Sequence, residues 1–199
     1  MKSRRIGPGM IGILMAGIWG VAGLVPATGQ QEEPLRIRTL EHRLLQTPNV
    51  QMQTDGRPPQ WRGRPSSWLQ IECVFEMRAD GVEELEFTYY VLMRSDDREQ
   101  PFRLLREQVT YVHVPRDRAN AHYSWLYLHP HLVQRFGSVE GVAVEVRSRG
   151  RPVAGTVTPQ QDYRAWIDRL PAESGWLQTP DQTPFMLYAP SRLLRIKRN

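Results

Sequence analysis

The chain has one cysteine in 199 residues, Cys73. An intrachain disulfide is therefore excluded, and so is any redox or metal site built from paired thiols. Lysine is almost missing too: Lys2 and Lys197 stand against 24 arginines. A genome rich in G and C produces that bias without functional pressure, although arginine still offers forked hydrogen bonding on strand faces. The sequence holds no G-x-S-x-G elbow, no S-x-x-K pair, no H-E-x-x-H helix and no D-x-D-x-D-G loop. These motifs of serine, metal-dependent and calcium-dependent chemistry are thus missing; a hydrolase stays open only through Ser, His and Asp that converge in space rather than in sequence. No internal repeat, heptad pattern or low-complexity tract appears.

Charge of one sign is also scarce. The formal net charge is +5, but Lys2, Arg4 and Arg5 lie in the first five residues, leaving 23 basic against 21 acidic side chains. Four of those 23 (Arg192, Arg195, Lys197, Arg198) fall in the last eight residues. The body of the protein is close to neutral and lacks the concentrated basic face that nucleic acid requires. The closing "RLLRIKRN" reads as a solvated tail.

What is present begins with "MKSRR", an uncharged run "IGPGMIGILMAGIWGVAGLV", and "PATGQ". A basic start, an apolar middle and small residues at the exit are the parts of a secretory signal over residues 1–29. Cleavage after Ala27 or Gly29 is expected, with export to the periplasm, outer surface or medium. The other reading is an uncleaved anchor, since Ile6 to Val25 is 20 residues long and can span a bilayer. Glycines and a proline interrupt that run and argue for cleavage. Membrane contact would come only through this uncleaved segment. No cysteine follows it to take a lipid.

From residue 35 to 158 the pattern is one of strands. "PLRIRTLEHRLL" alternates apolar and arginine positions, and a loop with four prolines follows. In "WLQIECVFEM", Leu69, Ile71, Cys73, Phe75 and Met77 share one face. In "ELEFTYYVLM", Leu85, Phe87, Tyr89, Val91 and Met93 do the same. Strict period-two alternation is a strand signal, because a helix would bring residues three and four apart together. Asp80-Gly81 between the two runs suits a tight turn, so the pair is expected to form an antiparallel hairpin. "FRLLREQVTYVHV", "HYSWLYL", "VEGVAVEV" and Val153–Val157 add further strands, with one or two helical turns in "HPHLVQRFG". Six or seven short strands separated by turns predict an all-β, antiparallel two-sheet sandwich.

Residues 159–199 have a different texture. Tyr163, Trp166, Ile167 and Leu170 have helical spacing and predict a short helix. The proline-punctuated remainder carries Trp176, Leu177, Phe185, Met186, Leu187 and Tyr188, too apolar for a free linker. It is expected to lie back on the sandwich and cover an edge or an end.

Cys73 sits on the face a sandwich buries, where a free thiol acts as a small hydrophobe and is inert. Its place resembles the second-strand cysteine of immunoglobulin domains, without a later cysteine to join. "HPH" at His129–His131 reads as a turn rather than a metal site. The carboxylates at Glu83, Glu84, Glu86 and at Asp96, Asp97 read as solvated. No catalytic, cofactor-binding or metal-ligating residue is assigned. Aromatics remain: Trp68 and Tyr90 fall on the polar faces of what read as adjacent strands, and with Trp125 they could form a surface platform for a sugar or a protein. The other reading is that the C-terminal segment covers them.

Taken in order, "WLQIECVFEM", "VEELEFTYYVLM", "VTYVHVPRDR", "YSWLYLHPHLVQRFG", "VAVEVRSRGRPV" and "GWLQTPDQTPFMLY" resemble the pilus-like protein family of verrucomicrobial bacteria. The likeness runs from about Leu35 to Tyr188. It implies an exported, immunoglobulin-like sandwich associated with type IV pilus genes, and it transfers no catalytic or binding residue. A pilin itself is not implied, because Gly9-Met10 is followed by "IGILMAG" without the acidic residue that pilin assembly uses. The expected function is a non-enzymatic interaction or structural module with a protein partner at the pilus or cell surface, bound through exposed strand edges. The alternative is a carbohydrate-binding module that stacks a glycan on Trp68, Tyr90 or Trp125.

Overall fold

The computed structural model describes residues 34–47, 66–78, 82–116, 121–187 and 194–197. The signal segment, the proline-rich stretch after β1 and the Asp80-Gly81 turn lie outside the described residues. The strands are β1 (Leu35–Gln46), β2 (Ser67–Met77), β3 (Val82–Arg94), β4 (Phe102–Val114), β5 (His122–Leu128), β6 (Ser138–Ser148), β7 (Arg151–Thr158), β8 (Ala172–Ser174) and β9 (Leu177–Gln178). Two short helices, α1 (Pro130–Phe136) and α2 (Arg164–Arg169), interrupt them. Two 3-10 turns, Pro180–Gln182 and Pro184–Leu187, follow β9.

The strands form two sheets. The first runs β1-β2-β5-β9 and the second β7-β6-β3-β4-β8. First, second and fifth strands thus face third, fourth, sixth and seventh, an immunoglobulin-like sandwich. The inward faces are those the alternation marks. Leu69, Ile71, Cys73, Phe75 and Met77 pack against Leu85, Phe87, Tyr89, Val91 and Met93, with Val142, Val144 and Val146 of β6 in the same core.

One pairing differs from expectation. β2 bonds to β1 and β5, whereas β3 bonds to β4 and β6. The two runs flanking Asp80-Gly81 therefore cross from one sheet to the other and are not a hairpin. The physical reason is that alternation fixes which face of a strand is buried but not its neighbour. Two strands with apolar inner faces and a short link can pair edge to edge or stack face to face, and here they stack. The hairpins that do form are β3–β4 and β6–β7, both antiparallel.

α1 closes one end of the core through the buried Phe136. Pro130 takes the first helical position and His129 Nδ1 accepts from His131 N at 3.2 Å, so "HPH" opens a helix. The helix stops at Gly137, whose φ of 85° and close approach to the Arg94 carbonyl leave no room for a Cβ. Among the described residues, no helix is long and apolar enough to cross a membrane.

The C-terminal segment packs on both sheets. α2 lays Tyr163, Trp166, Ile167 and Leu170 over Tyr90, Leu104 and Ala143 on the outer face of the second sheet. β8 pairs in parallel with Leu104–Arg106 of β4. β9 pairs with Tyr127 and Leu128 of β5. Residues 195–197 then return antiparallel to β4, with Val112 N donating to Arg195 O at 2.9 Å and Lys197 N to Thr110 O at 2.8 Å. Unpaired strand edges invite association. The β4 and β5 edges are thus partly occupied by the chain itself, while β1 and β7 remain the outer strands on the opposite side.

Candidate interaction surfaces

The titratable groups of the interior are committed to structure. Tyr89 donates to Ser124 Oγ at 2.6 Å, and Tyr111 Oη lies 2.8 Å from the same oxygen. Cys73 stands opposite Ser124 across the β2–β5 pair and is buried in the same core cluster as Tyr89. Burial pushes the Cys73 thiol up to about 12, and it raises Tyr89 and Tyr111 as well. A neutral thiol with no access to water is a poor nucleophile.

The three tryptophan and tyrosine positions proposed as a platform do not form one. Trp68 and Tyr90 lie on different sheets, on opposite outer faces, so they are not neighbours. Trp68 is 5 % exposed, Tyr90 9 % and Trp125 7 %. The expectation assumed adjacent strands, and the inter-sheet crossing of the β2–β3 link separates them. Each is also covered. Trp68 and Trp125 cluster with Tyr127 on the first sheet. Phe185 stacks on Tyr127 at 4.8 Å and 7° and meets Trp68 edge-on at 5.8 Å. Tyr90 lies beneath α2, where Tyr163 Oη donates to Glu145 Oε1 at 2.8 Å. Trp125 Nε1 donates to Glu72 Oε2 at 2.6 Å, and beside it a chain runs from Arg43 Nε to Gln70 Oε1 and from Gln70 Nε2 to Tyr127 Oη.

Where the C-terminal strap meets the β4 and β5 edges, it leaves a cleft of about 620 Å³. Tyr111 and His113 of β4, Tyr123 and Trp125 of β5, Asp181 after β9, and Lys197 of the strap line it. The Tyr123 and Trp125 rings lie 5.6 Å apart. His113 adopts φ 53°, which breaks the β4 alternation and leaves an exposed imidazole at the rim. Lys197 Nζ is 2.9 Å from Glu84 Oε2, an exposed ion pair that holds the strap. The volume is in the range of small-ligand sites. Of these residues only Trp125 was singled out in the sequence. The cleft joins β4, β5 and a strap some seventy residues further along, so no local pattern announces it. Among the described residues, no group of three or more His, Cys, Asp or Glu is placed to hold a metal.

The fold and its surfaces define an all-β, immunoglobulin-like sandwich with a self-covering C-terminal segment. A protein-family model matches residues 26–199, and the chain belongs to that family. A crystal structure from Akkermansia muciniphila is similar, with a TM-score of 0.68 and 24 % identity over 83 % of this chain and 93 % of that one. At that identity the likeness is one of fold, and its source is a verrucomicrobium, the bacterial group of the sequence resemblance. No curated protein matches the chain.

Proposed function

We propose that the protein is a non-enzymatic, exported interaction module, acting with a protein partner at the cell surface or with type IV pili. The observation that carries this reading is where the polar chemistry lies. The thiol and the phenols are sealed in the core, and both phenols are bonded to the Ser124 hydroxyl. The accessible cleft offers ring faces, strand edge and mixed charge, the ingredients of recognition rather than of group transfer. The near-neutral body favours protein over nucleic acid. A photo-crosslinking residue at His113 or Arg195, beside the cleft, tests it on intact cells. A discrete adduct with a pilus or surface protein is expected. Absence of any adduct at both positions counts against the reading.

A second reading is a carbohydrate-binding module. It draws on Tyr123, half-buried at the cleft beside Trp125; Trp68, Tyr90 and Trp125 are themselves too deeply covered to stack a sugar. A glycan array followed by tryptophan fluorescence titration separates the two, and a flat response removes it.

A further inference from the structure

The half of β1 beyond its buried Leu40 stands bare. Leu40 is 7 % exposed, yet Leu44, on the same face of the strand, is 61 % exposed, and His42 between them is exposed too. Leu44 pairs with the buried Leu69 of β2 on one side; on the other β1 has no hydrogen-bonded strand, although β7 packs close to it across the sandwich. A lone exposed leucine means little. Here it lies on an unpaired edge next to charges that complement one another.

We propose that two copies of the chain associate through β1, antiparallel about His42, so that the first sheet continues from one protomer into its partner. This goes beyond the functional reading above and does not depend on the cleft. In that register Leu44 meets Leu40 of the partner subunit on the inner face. On the outer face Glu41 meets Arg43 of the partner subunit, and Arg43 meets Glu41 of the partner subunit. Within one protomer Glu41 lies opposite Glu72 of β2, a like-charge pair, and has no ion-pair partner among the described residues. Arg43 is already oriented, its Nε held by Gln70 Oε1 at 2.8 Å and its Nη2 3.8 Å from Glu72 Oε2, so it would be shared between Glu72 and Glu41 of the partner subunit. The pairing is isologous, as a two-fold interface must be.

The charges favour this register over its two neighbours. Centring the pair on residue 41 would set Glu41 against its own copy, and centring on 43 would do the same to Arg43. Directly opposed like charges destabilise a strand pair and opposite charges stabilise it. A centre between residues would turn inner faces against outer ones, which the pleat forbids. The irregularity between Ile37 and Thr39 ends the pairable run on one side.

Cysteine cross-linking of the full chain tests this. His42→Cys, treated with a mild oxidant, is expected to give a disulfide-linked dimer, since residue 42 faces itself. Arg36→Cys, beyond the irregularity, is expected to give none, and native Cys73 is buried. Adding Glu41→Arg to His42→Cys should cut the dimer by about tenfold, and adding Arg43→Glu as well should restore it. Mixing a Glu41→Arg chain with an Arg43→Glu chain, each also carrying His42→Cys, should cross-link better than either alone. No dimer from His42→Cys, equal dimer from Arg36→Cys, or cross-linking indifferent to charge would overturn the proposal.

Discussion

Tyr89, on β3, donates its hydroxyl hydrogen across the interior to Ser124 Oγ on β5, 2.6 Å away, so a single bond ties one sheet to the other. Tyr111 of β4 reaches the same oxygen. In disulfide-linked immunoglobulin domains, a cysteine pair between the second and sixth of these strands does that work. Here β6 offers Val142, Val144 and Val146 to the core, and Cys73 joins the hydroxyl cluster instead.

Ser124→Ala removes the acceptor at the centre of that cluster. Two buried phenols lose a partner, and a buried unsatisfied group costs about 1–3 kcal/mol. The unfolding free energy should fall by about that amount, seen as a lower urea midpoint with an unchanged slope. Replacing Tyr89 and Tyr111 by Phe in the same chain should recover part of the loss, because no orphaned hydroxyl remains. A triple variant less stable than Ser124→Ala would show that the hydroxyls contribute more than mutual satisfaction.

Cys73 makes stability pH-dependent on the alkaline side. In the unfolded chain the thiol ionises near its ordinary 9.0, whereas in the fold burial holds it neutral to about 12. Between those values the unfolded state binds fewer protons, so unfolding becomes easier as pH rises, by about 1.4 kcal/mol per unit. Below pH 9 the thiol contributes no slope. Tyr89 and Tyr111, raised in the same direction, add to the loss above pH 10. Denaturant midpoints measured from pH 8 to 11 should therefore fall from about pH 9 in the native chain and only from about pH 10 in Cys73→Ala. An identical profile in both would remove the thiol from the account.

The faces of the strands were legible in the sequence because period-two alternation is a local signal. Leu69 to Met77, Leu85 to Met93 and Val142 to Val146 are buried on the faces their spacing marks. The partners were not legible, and the Asp80-Gly81 turn misled for that reason. The outer face of β3 shows a second limit. Tyr90 falls on the face opposite the core residues and reads either as a surface platform or as covered by the C-terminal segment; it is buried and packs under α2. Burial there is supplied by residues more than seventy positions later. The cleft escaped for the same reason, since three distant segments meet at it and only Trp125 carried a visible cue.

Two glycines should respond differently to alanine. At Gly137 a Cβ would lie 2.0 Å from the Arg94 carbonyl oxygen on a backbone at φ 85°, so the α1–β6 junction must move. Strain at a backbone that cannot yield predicts a loss of about 3 kcal/mol or more. At Gly141 the Cβ would meet the tip of the Trp166 ring at 2.3 Å and Gln161 Nε2 at 2.7 Å, both side-chain atoms. α2 can shift, so about 1–2 kcal/mol is expected, with altered tryptophan emission as the ring leaves its seat. Equal losses at the two sites would contradict this contrast.

Phe185 decides whether the first sheet presents an aromatic face. It lies flat on Tyr127 and edge-on to Trp68, so Phe185→Ala strips the cover from both. Loss of the ring contacts and part of a phenyl's burial should cost about 1–3 kcal/mol. Trp68 should become accessible to acrylamide, with emission moving to the red. The same variant separates two origins for any glycan response. A sugar held in the cleft against Tyr123 should bind the variant and the native chain alike. A sugar that needs Trp68 should bind only the variant, since the native chain keeps that indole 5 % exposed. A response in the native chain that Phe185→Ala abolishes would instead make Phe185 a contact, and the cover assigned to it here would be wrong.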